Sequence, residues 1–523
     1  MSNHDIQATW HYHNGTKHPS GPLLNPLHRF DPGRQPLLFK IYKNLPLISL
    51  SLDTAGSLPA LEAISGEAPT DASAPALDLP TLARILYFSA GITKYLEYPA
   101  PWGRMPFRAA ACTGALYHIE LYLVCADLPD PAAAAGGQGL EAGVYHFDAQ
   151  AFALRRLRQG DYRQILVEAS ARESSVARAP ATLVLTDVVW RNAVKYQARE
   201  YRHAFWDSGT LLANTLAMAT AHHLPTRVVL GFVDTEVGRL LALDAERELV
   251  LALVPIGTAP EVTAPPAPGV TPLKFEIEPY SRHELDFPAI GAMHAASCLP
   301  DANAVAAWRN APPLLARPVT TGPQTALQPM ADDELPADPI ERVIVRRGST
   351  RAFAREVISF RQLSTMLDRA LHGLNADFSG SSEIPLNDGY LIVNAVEGLV
   401  PGAYVCRRER RALELLKAGN FRTTAGELAL GQALAADASA AIFLLADLSP
   451  ILASLGNRGY RAAQLDASLA GGRLYLAAYA LGLGASGLTF FDDAVTDFFS
   501  PHARGRSVMF LIALGKKRKR STA

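Results

Sequence analysis

The 523-residue chain is too long for one hydrophobic core, which stops growing at about 250–300 residues, so two domains are the first expectation. Apolar residues at 49%, charged residues at 19% and a formal net charge of -1 exclude a disordered or supercharged chain and leave no basic excess to favour nucleic acid. Cys112, Cys125, Cys298 and Cys406 stand apart without a CxxC pair, which argues against a disulfide framework or a metal site. No apolar run reaches the roughly 18 residues of a membrane span, and the N-terminus is polar, so the chain is expected to be cytoplasmic with no membrane partner.

In chain order, a leader over residues 1–80 includes YHNGTKHP and HRFDPGRQPLLFKIY, expected only to pack on the first domain. LPTLARILYFSAG reads as a helix, and ELYLVCADL, GVYHF and ATLVLTDV read as buried strands, apolar or alternating and rich in β-branched residues. AFWDSGTLLANTLAMATAHHL is the next helix and TRVVLGF the next strand. From 258 to 338 proline and alanine dominate, which predicts an extended linker with one short helix, long enough to wrap one domain around the other. The domains expected are therefore 1–257 and 339–523. The second contains the helix AGGRLYLAAYALGLG and ends on the strand FLIALG. Strands interleaved with helices in each half predict an α+β fold with a mixed or antiparallel sheet, twice over.

The two halves read alike. GLEAGVYHFDAQAFALRRLRQGDYR answers GLVPGAYVCRRERRALELLKAGNFR at a constant offset of 259 residues, Tyr145 with Tyr404 and Tyr162 with Phe421. The register persists through Arg199 and Arg458, Tyr201 and Tyr460, Arg202 and Arg461, and Asp207 and Asp466. An internal repeat is the expectation. Both halves keep this Arg and Asp, so Arg202 is expected to pair with Asp207. His118, His203, His222 and His223 share no metal-ligand spacing and are read as core or surface residues.

Five segments carry candidate chemistry: RAAACTGALYHIELYLV (108–124), KYQAREYR (195–202), RRGSTRAF (346–353), GASGLTFFDD (484–493) and the tail GKKRKR (515–520). Four of them have a bland reading. RRGSTR caps a helix at Ser349 or Thr350; Lys195 snorkels from a helix-entry loop; GASGL is a glycine turn; the tail is a solvated end. Each has a chemical reading too. Guanidinium forks beside a hydroxyl bind a phosphate dianion, and a lysine near the cations Arg199 and Arg202 has a lowered pKa suited to a base.

In this order the segments resemble the nitroreductase superfamily and, within it, the SagB-type dehydrogenases that oxidise azolines to thiazoles and oxazoles in peptide natural products. The resemblance covers most of both halves. It implies two fused nitroreductase-like, FMN-dependent α+β domains forming an intramolecular pseudo-dimer. It also implies Arg347 and Ser349 on the FMN phosphate and ribityl chain, with Arg351 near the ring edge. Lys195 and Tyr196 would be the acid/base pair. A backbone amide from the Leu488, Thr489 and Phe490 loop would face the flavin N5, where main-chain donors favour the negative charge of reduced flavin. Lys516 and Arg518 would add phosphate contacts.

The halves depart from the pattern in opposite directions. The first has ISGEAPT where R-x-S-x-R is expected; the second has FSGSSEIPLNDGYLIV in place of P-S-x-G, and Ser454-Leu455 where the first has Lys195-Tyr196. Complementary losses place one composite FMN site, gripped by the second half and walled by Cys112, Thr113, Gly114, Lys195 and Tyr196 of the first. Its rival is decay of both sites, because Cys112-Thr113 and His118 also depart from the family pattern. The leading function is an FMN-dependent oxidoreductase moving hydride between a heterocyclic or peptide-derived small molecule and FMN, with NAD(P)H or oxygen as electron partner. The alternatives are an NAD(P)H-dependent nitro or quinone reductase, which needs no base, and a flavin-free scaffold. A monomer or a homodimer fits either enzyme, since a pseudo-dimer already supplies the shared interface.

Overall fold

The computed structural model describes residues 2–19, 34–53, 56–66, 74–99, 103–131, 139–259, 264–311, 313, 315, 322–379 and 385–518. Two antiparallel sheets carry the chain. The first runs Leu47–Ser49, Ala153–Gln159, Gly143–Asp148, Ile119–Cys125, Ala181–Val188, Glu248–Ile256 across its width. The second runs Gln324–Ala326, Ala412–Ala418, Gly402–Arg407, Asn387–Val393, Ala440–Ala446, Ser507–Gly515, Gly484–Leu488. The first six strands of the second sheet follow the order of the first, and Gly484–Leu488 is a seventh strand added at its edge. Ile119 pairs with Asp187 as Asn387 pairs with Ala446, which fixes the equivalence of these strands by hydrogen-bond register.

Buried apolar runs became strands, as Ala181–Val188 shows with every residue buried. TRVVLGF did not form a continuous strand: Thr226 and Val229 make only isolated bridges to Ile256 and Leu253. Helix Leu79–Ala90 begins where the Asp78 carboxylate accepts the Thr81 amide at 2.9 Å, with proline in its first turn.

Each half carries a long helix, Glu200–Ala221 and Arg458–Ala480, and the two cross each other at the centre of the molecule. Positions 259 apart meet there. A Cβ on Gly209 would lie 1.9 Å from Ser468 Oγ and 2.6 Å from the Leu469 amide, and one on Gly472 would lie 2.6 Å from Ala213 Cβ. Glycine is required because backbone meets backbone. Gly209→Ala is expected to cost about 1–3 kcal/mol through overpacking, read as a lowered urea midpoint, whereas Gly291→Ala, exposed inside helix Pro288–Ala296 with open space around it, should raise the midpoint by an amount worth up to about 1 kcal/mol.

Among its described residues the segment 258–338 holds two α-helices, Pro288–Ala296 and Ala302–Arg309, rather than one. It first runs along the first half, where Lys43 donates to Glu276 and Glu278 donates to Ile41. It then reaches the second half, where Gln324–Ala326 becomes an edge strand. The leader does more than pack on the first half. Helix Gln7–Gly15 sets the Tyr12 ring against both Tyr201 and Tyr460, and Asn3 bonds to Leu455 and Arg458, so it joins both halves. No described helix is long and apolar enough to cross a membrane.

Candidate functional site

Arg202 does not pair with Asp207. Arg199 and Arg202 reach Asp492 of the other half at 3.0 and 2.6 Å, and reciprocally Arg458 and Arg461 reach Asp234 at 2.6 and 2.8 Å. The arginines point across the helix pair, where burial without a counter-charge would be costly. Asp207 is thereby free for another task. Its carboxylate accepts the Thr113 amide at 2.9 Å, the Thr113 hydroxyl at 2.8 Å and the Cys112 thiol at 3.0 Å. This clamp holds a turn in which Gly114, Ala115 and Tyr117 all have positive φ.

Against that turn stands the second half. Arg347 is buried, and its guanidinium donates to the carbonyls of Ala109 at 2.6 Å and Arg108 at 3.4 Å, while its own carbonyl accepts Lys94 Nζ at 3.3 Å. Burial lowers the Arg347 pKa, and Lys94 is lowered by burial and by Arg347. Ser349 meets the Tyr475 hydroxyl at 3.3 Å, and the same hydroxyl accepts the Gly487 amide, so the arginine motif and the GASGL loop are tied through one tyrosine. Thr350 hands its amide to Ala485 at 2.8 Å.

Lys195 ends helix Val189–Tyr196 at the exposed rim, its ammonium 5.2 Å from the Tyr196 ring centroid. Its pKa is lowered, first by partial desolvation and then by Arg351 of the other half. The neighbour is therefore Arg351, not Arg199 or Arg202, which are taken up by Asp492. The Tyr196 hydroxyl would lie 3.0 Å from a Cβ on Gly114, so both expected wall elements converge. Arg347, Arg351, Lys94 and Lys195 make no ion pair with a carboxylate among the described residues.

Leu488 and Phe490 are buried, Phe490 fully, with Trp206 at 5.6 Å and the Arg199 guanidinium at 5.3 Å, so the Phe490 side chain belongs to the core. Thr489 is half-buried and its hydroxyl has no hydrogen-bond partner. The equivalent loop of the first half is occupied. Leu230 and Gly231 amides donate to the two oxygens of Asp377 at 2.9 and 2.8 Å, and Trp308 packs on Gly231.

Of the tail, Lys516 meets Glu356 at 3.3 Å and Arg518 meets Asp437 at 3.5 Å, both on the exposed side. Lys517, though exposed like its neighbours, leans to the opposite side, its ammonium 4.6 Å from the Tyr479 ring centroid and its side chain close to Gly484. Strand alternation explains why neighbours diverge: Lys517 bridges to Phe353 while the residues beside it face out. ISGEAPT and SSEIPLND lie partly outside the described residues, at 67–70 and 381–384. A shallow cleft enclosing about 270 Å³ of open space is lined by Arg108, Ala111, Cys112, Tyr117 and Asp207.

Residues 344–516 match the nitroreductase family model. The whole chain is similar to the crystal structure of a protein from Anabaena variabilis named as a nitroreductase, with 26% identity, TM-score 0.75, and coverage of 98% of this chain and 99% of that one. A protein of Methanocaldococcus jannaschii, also named as a nitroreductase, is 26% identical over 35% of this chain and 81% of its own length. The Escherichia coli microcin synthetase complex McbBCD, solved with truncated pro-MccB17 bound, is 19% identical over 49% of this chain and 92% of the matched one, with TM-score 0.30. The chain therefore has a nitroreductase-like fold along its length, with the match to the nitroreductase family model confined to residues 344–516.

Proposed function

We propose that this protein is an FMN-dependent oxidoreductase that holds one FMN between its two halves, which act as an intramolecular pseudo-dimer, and that it dehydrogenates a small heterocyclic or peptide-derived substrate. The observation that carries the single site is the contrast between the two loops. Asp377 takes the Leu230 and Gly231 amides in the first half, while the equivalent Thr489 leaves its hydroxyl without a partner on a loop tied through the Tyr475 hydroxyl to Ser349 of the arginine motif.

The residues present fit the cofactor. Buried Arg347 Nε and Thr489 Oγ1 lack partners, and an anion would satisfy cations that have no carboxylate beside them. Arg347, Ser349 and Lys517 would hold the phosphate end, the turn at Cys112, Thr113 and Gly114 would form the opposite wall, and the Thr489 and Phe490 backbone would face the ring. Bound FMN would supply reversible hydride acceptance.

The chain's own contribution is proton handling at the rim. A lysine whose pKa is lowered by desolvation and by Arg351 spends more of its time neutral than an ordinary lysine, so Lys195 can take the proton released when a C–H or N–H bond is oxidised. Tyr196, held protonated by burial, orients that lysine. This pair favours a dehydrogenase over a reductase that needs no base.

Released flavin quantified per chain is expected to give a ratio close to one. A ratio of two would overturn the single site, and none after incubation with FMN would overturn the flavin reading.

A further inference from the structure

Behind the Cys112–Thr113 turn, the first half buries four ionisable groups in one line. His118 Nδ1 lies 2.7 Å from Asp187 Oδ1 and 3.3 Å from Glu200 Oε1, and His118 Nε2 lies 2.8 Å from Asp207 Oδ2. His118, Asp187 and Glu200 are fully buried. None of the three carboxyls makes an ion pair with a lysine or arginine among the described residues. Asp187 Oδ2 and both oxygens of Glu200 accept no hydrogen bond of good geometry.

Three carboxylates against one imidazolium leave excess negative charge in a dry interior, which is costly unless a proton or a cation balances it. The fold does not demand this arrangement. At the equivalent places the second half has Leu386, Ala446 and Gly459 for His118, Asp187 and Glu200, and only Asp466 answers Asp207. The charges stand only behind the wall that would face the cofactor.

We propose that Glu200, Asp187, His118 and Asp207 form a buried proton reservoir, with the proton held on Glu200 at neutral pH and delivered through Asp207 and the Thr113 hydroxyl to the cleft beside the Cys112–Thr113 turn. This inference rests on the oxidoreductase reading for its use, but not for its existence. Glu200 faces Asp187 from the sheet, His118 from the turn and Tyr12 from the leader helix; His203 and Tyr196 feel the charge of His118. Burial first, and Asp187 next, raise the Glu200 pKa, while the carboxylates keep His118 in its charged form against its own burial.

Delivery moves one proton and no electrons. The His118 Nε2–H bond breaks as an O–H bond forms on Asp207. The Thr113 hydroxyl, which donates to Asp207 at rest, turns its O–H outward, releases that proton to the cleft and accepts the Asp207 proton on Oγ1. His118 keeps its Nδ1–H and is left neutral; when the imidazole turns over, Glu200 protonates the bare nitrogen then facing it and is left ionised. The recipient is the oxyanion formed when an electron acceptor of the quinone or nitroarene class takes hydride. Lys195 serves the substrate's proton on the other half-reaction, so the two proton routes are separate. The Cys112 thiol, kept protonated by burial and by Asp207, orients Asp207 as a fixed donor.

Infrared spectra of the purified full chain, with or without flavin, test the reservoir directly. A protonated carboxyl carbonyl band is expected at neutral pH, lost on alkalinisation, absent in Glu200→Gln and retained in Glu141→Gln. Absence of the band in the wild type overturns the proposal. So does one equivalent of divalent metal by elemental analysis, because a cation would then balance the carboxylates. In the flavin-loaded chain, quinone reduction is expected to fall about tenfold per pH unit above the pH at which the band disappears. An alkaline limb unchanged in Glu200→Gln overturns the relay. Failure of the chain to bind flavin would sink the oxidoreductase reading while leaving the infrared result to decide the reservoir.

Discussion

Asp234→Ala is expected to destabilise the protein by about 3–5 kcal/mol, measured by urea denaturation, because it strands two buried guanidinium groups at once. Arg458 and Arg461 are both fully buried and both end on this one carboxylate, at 2.6 and 2.8 Å. Asp493, next to the equivalent Asp492, is the control. Its side chain is 69% exposed and pairs with Lys17, so Asp493→Ala should cost no more than about 1 kcal/mol. The two arginines hold the Asp234 carboxyl well below the usual carboxylate range, as Arg202 and Arg199 hold Asp492. A carboxylate with a depressed folded-state pKa contributes stability above its unfolded value, near about 3.9, and that stability is lost as pH falls below it. Acidification below about pH 4 should therefore progressively weaken the junction between the halves, and Asp234→Ala should flatten part of that acid dependence. Equal urea midpoints for Asp234→Ala and Asp493→Ala would refute the assignment.

The same cluster shows what the sequence could reveal. Arg199, Tyr201 and Arg202 recur as Arg458, Tyr460 and Arg461 at one offset, and the structure puts both sets at the start of the long helices. Their partners were not legible. Asp207, five residues from Arg202, looked like the natural mate, but on a helix residues five apart do not share a face as those three or four apart do, and the real partner comes from the other half.

His118 was hidden for a related reason. Its carboxylates come from 69 and 89 positions away, and only the stacking of strand on helix brings them together. Lys517 was a nearer miss. Strand alternation through FLIALGKKR would have set it apart from Lys516 and Arg518, had the strand been continued past Gly515. TRVVLGF was overread, since its β-branched run could not make a ladder where Asp377 takes the amides at its end.

Arg347→Ala is expected to weaken FMN binding by roughly ten- to a hundredfold for each charged hydrogen bond lost, read by fluorescence titration of the apoprotein. A second effect accompanies it. The guanidinium now satisfies the carbonyls of Arg108 and Ala109, so its removal leaves two acceptors at the domain junction without that donor and loosens the wall from the grip. Arg347→Lys separates these contributions. It keeps the charge but not the fork, so it should recover part of the affinity and none of the bidentate geometry. Lys517→Ala should also weaken binding, since its ammonium lies over Tyr479 beside Thr350 and Gly484. Lys516→Ala and Arg518→Ala should not, because Glu356 and Asp437 hold those cations on the outer side. The order of the four alanine variants is thus the diagnostic. If Lys516→Ala and Arg518→Ala cost more affinity than Arg347→Ala and Lys517→Ala, the anion would sit on the outer face of the last strand, and the interdomain site would be the wrong place for the cofactor.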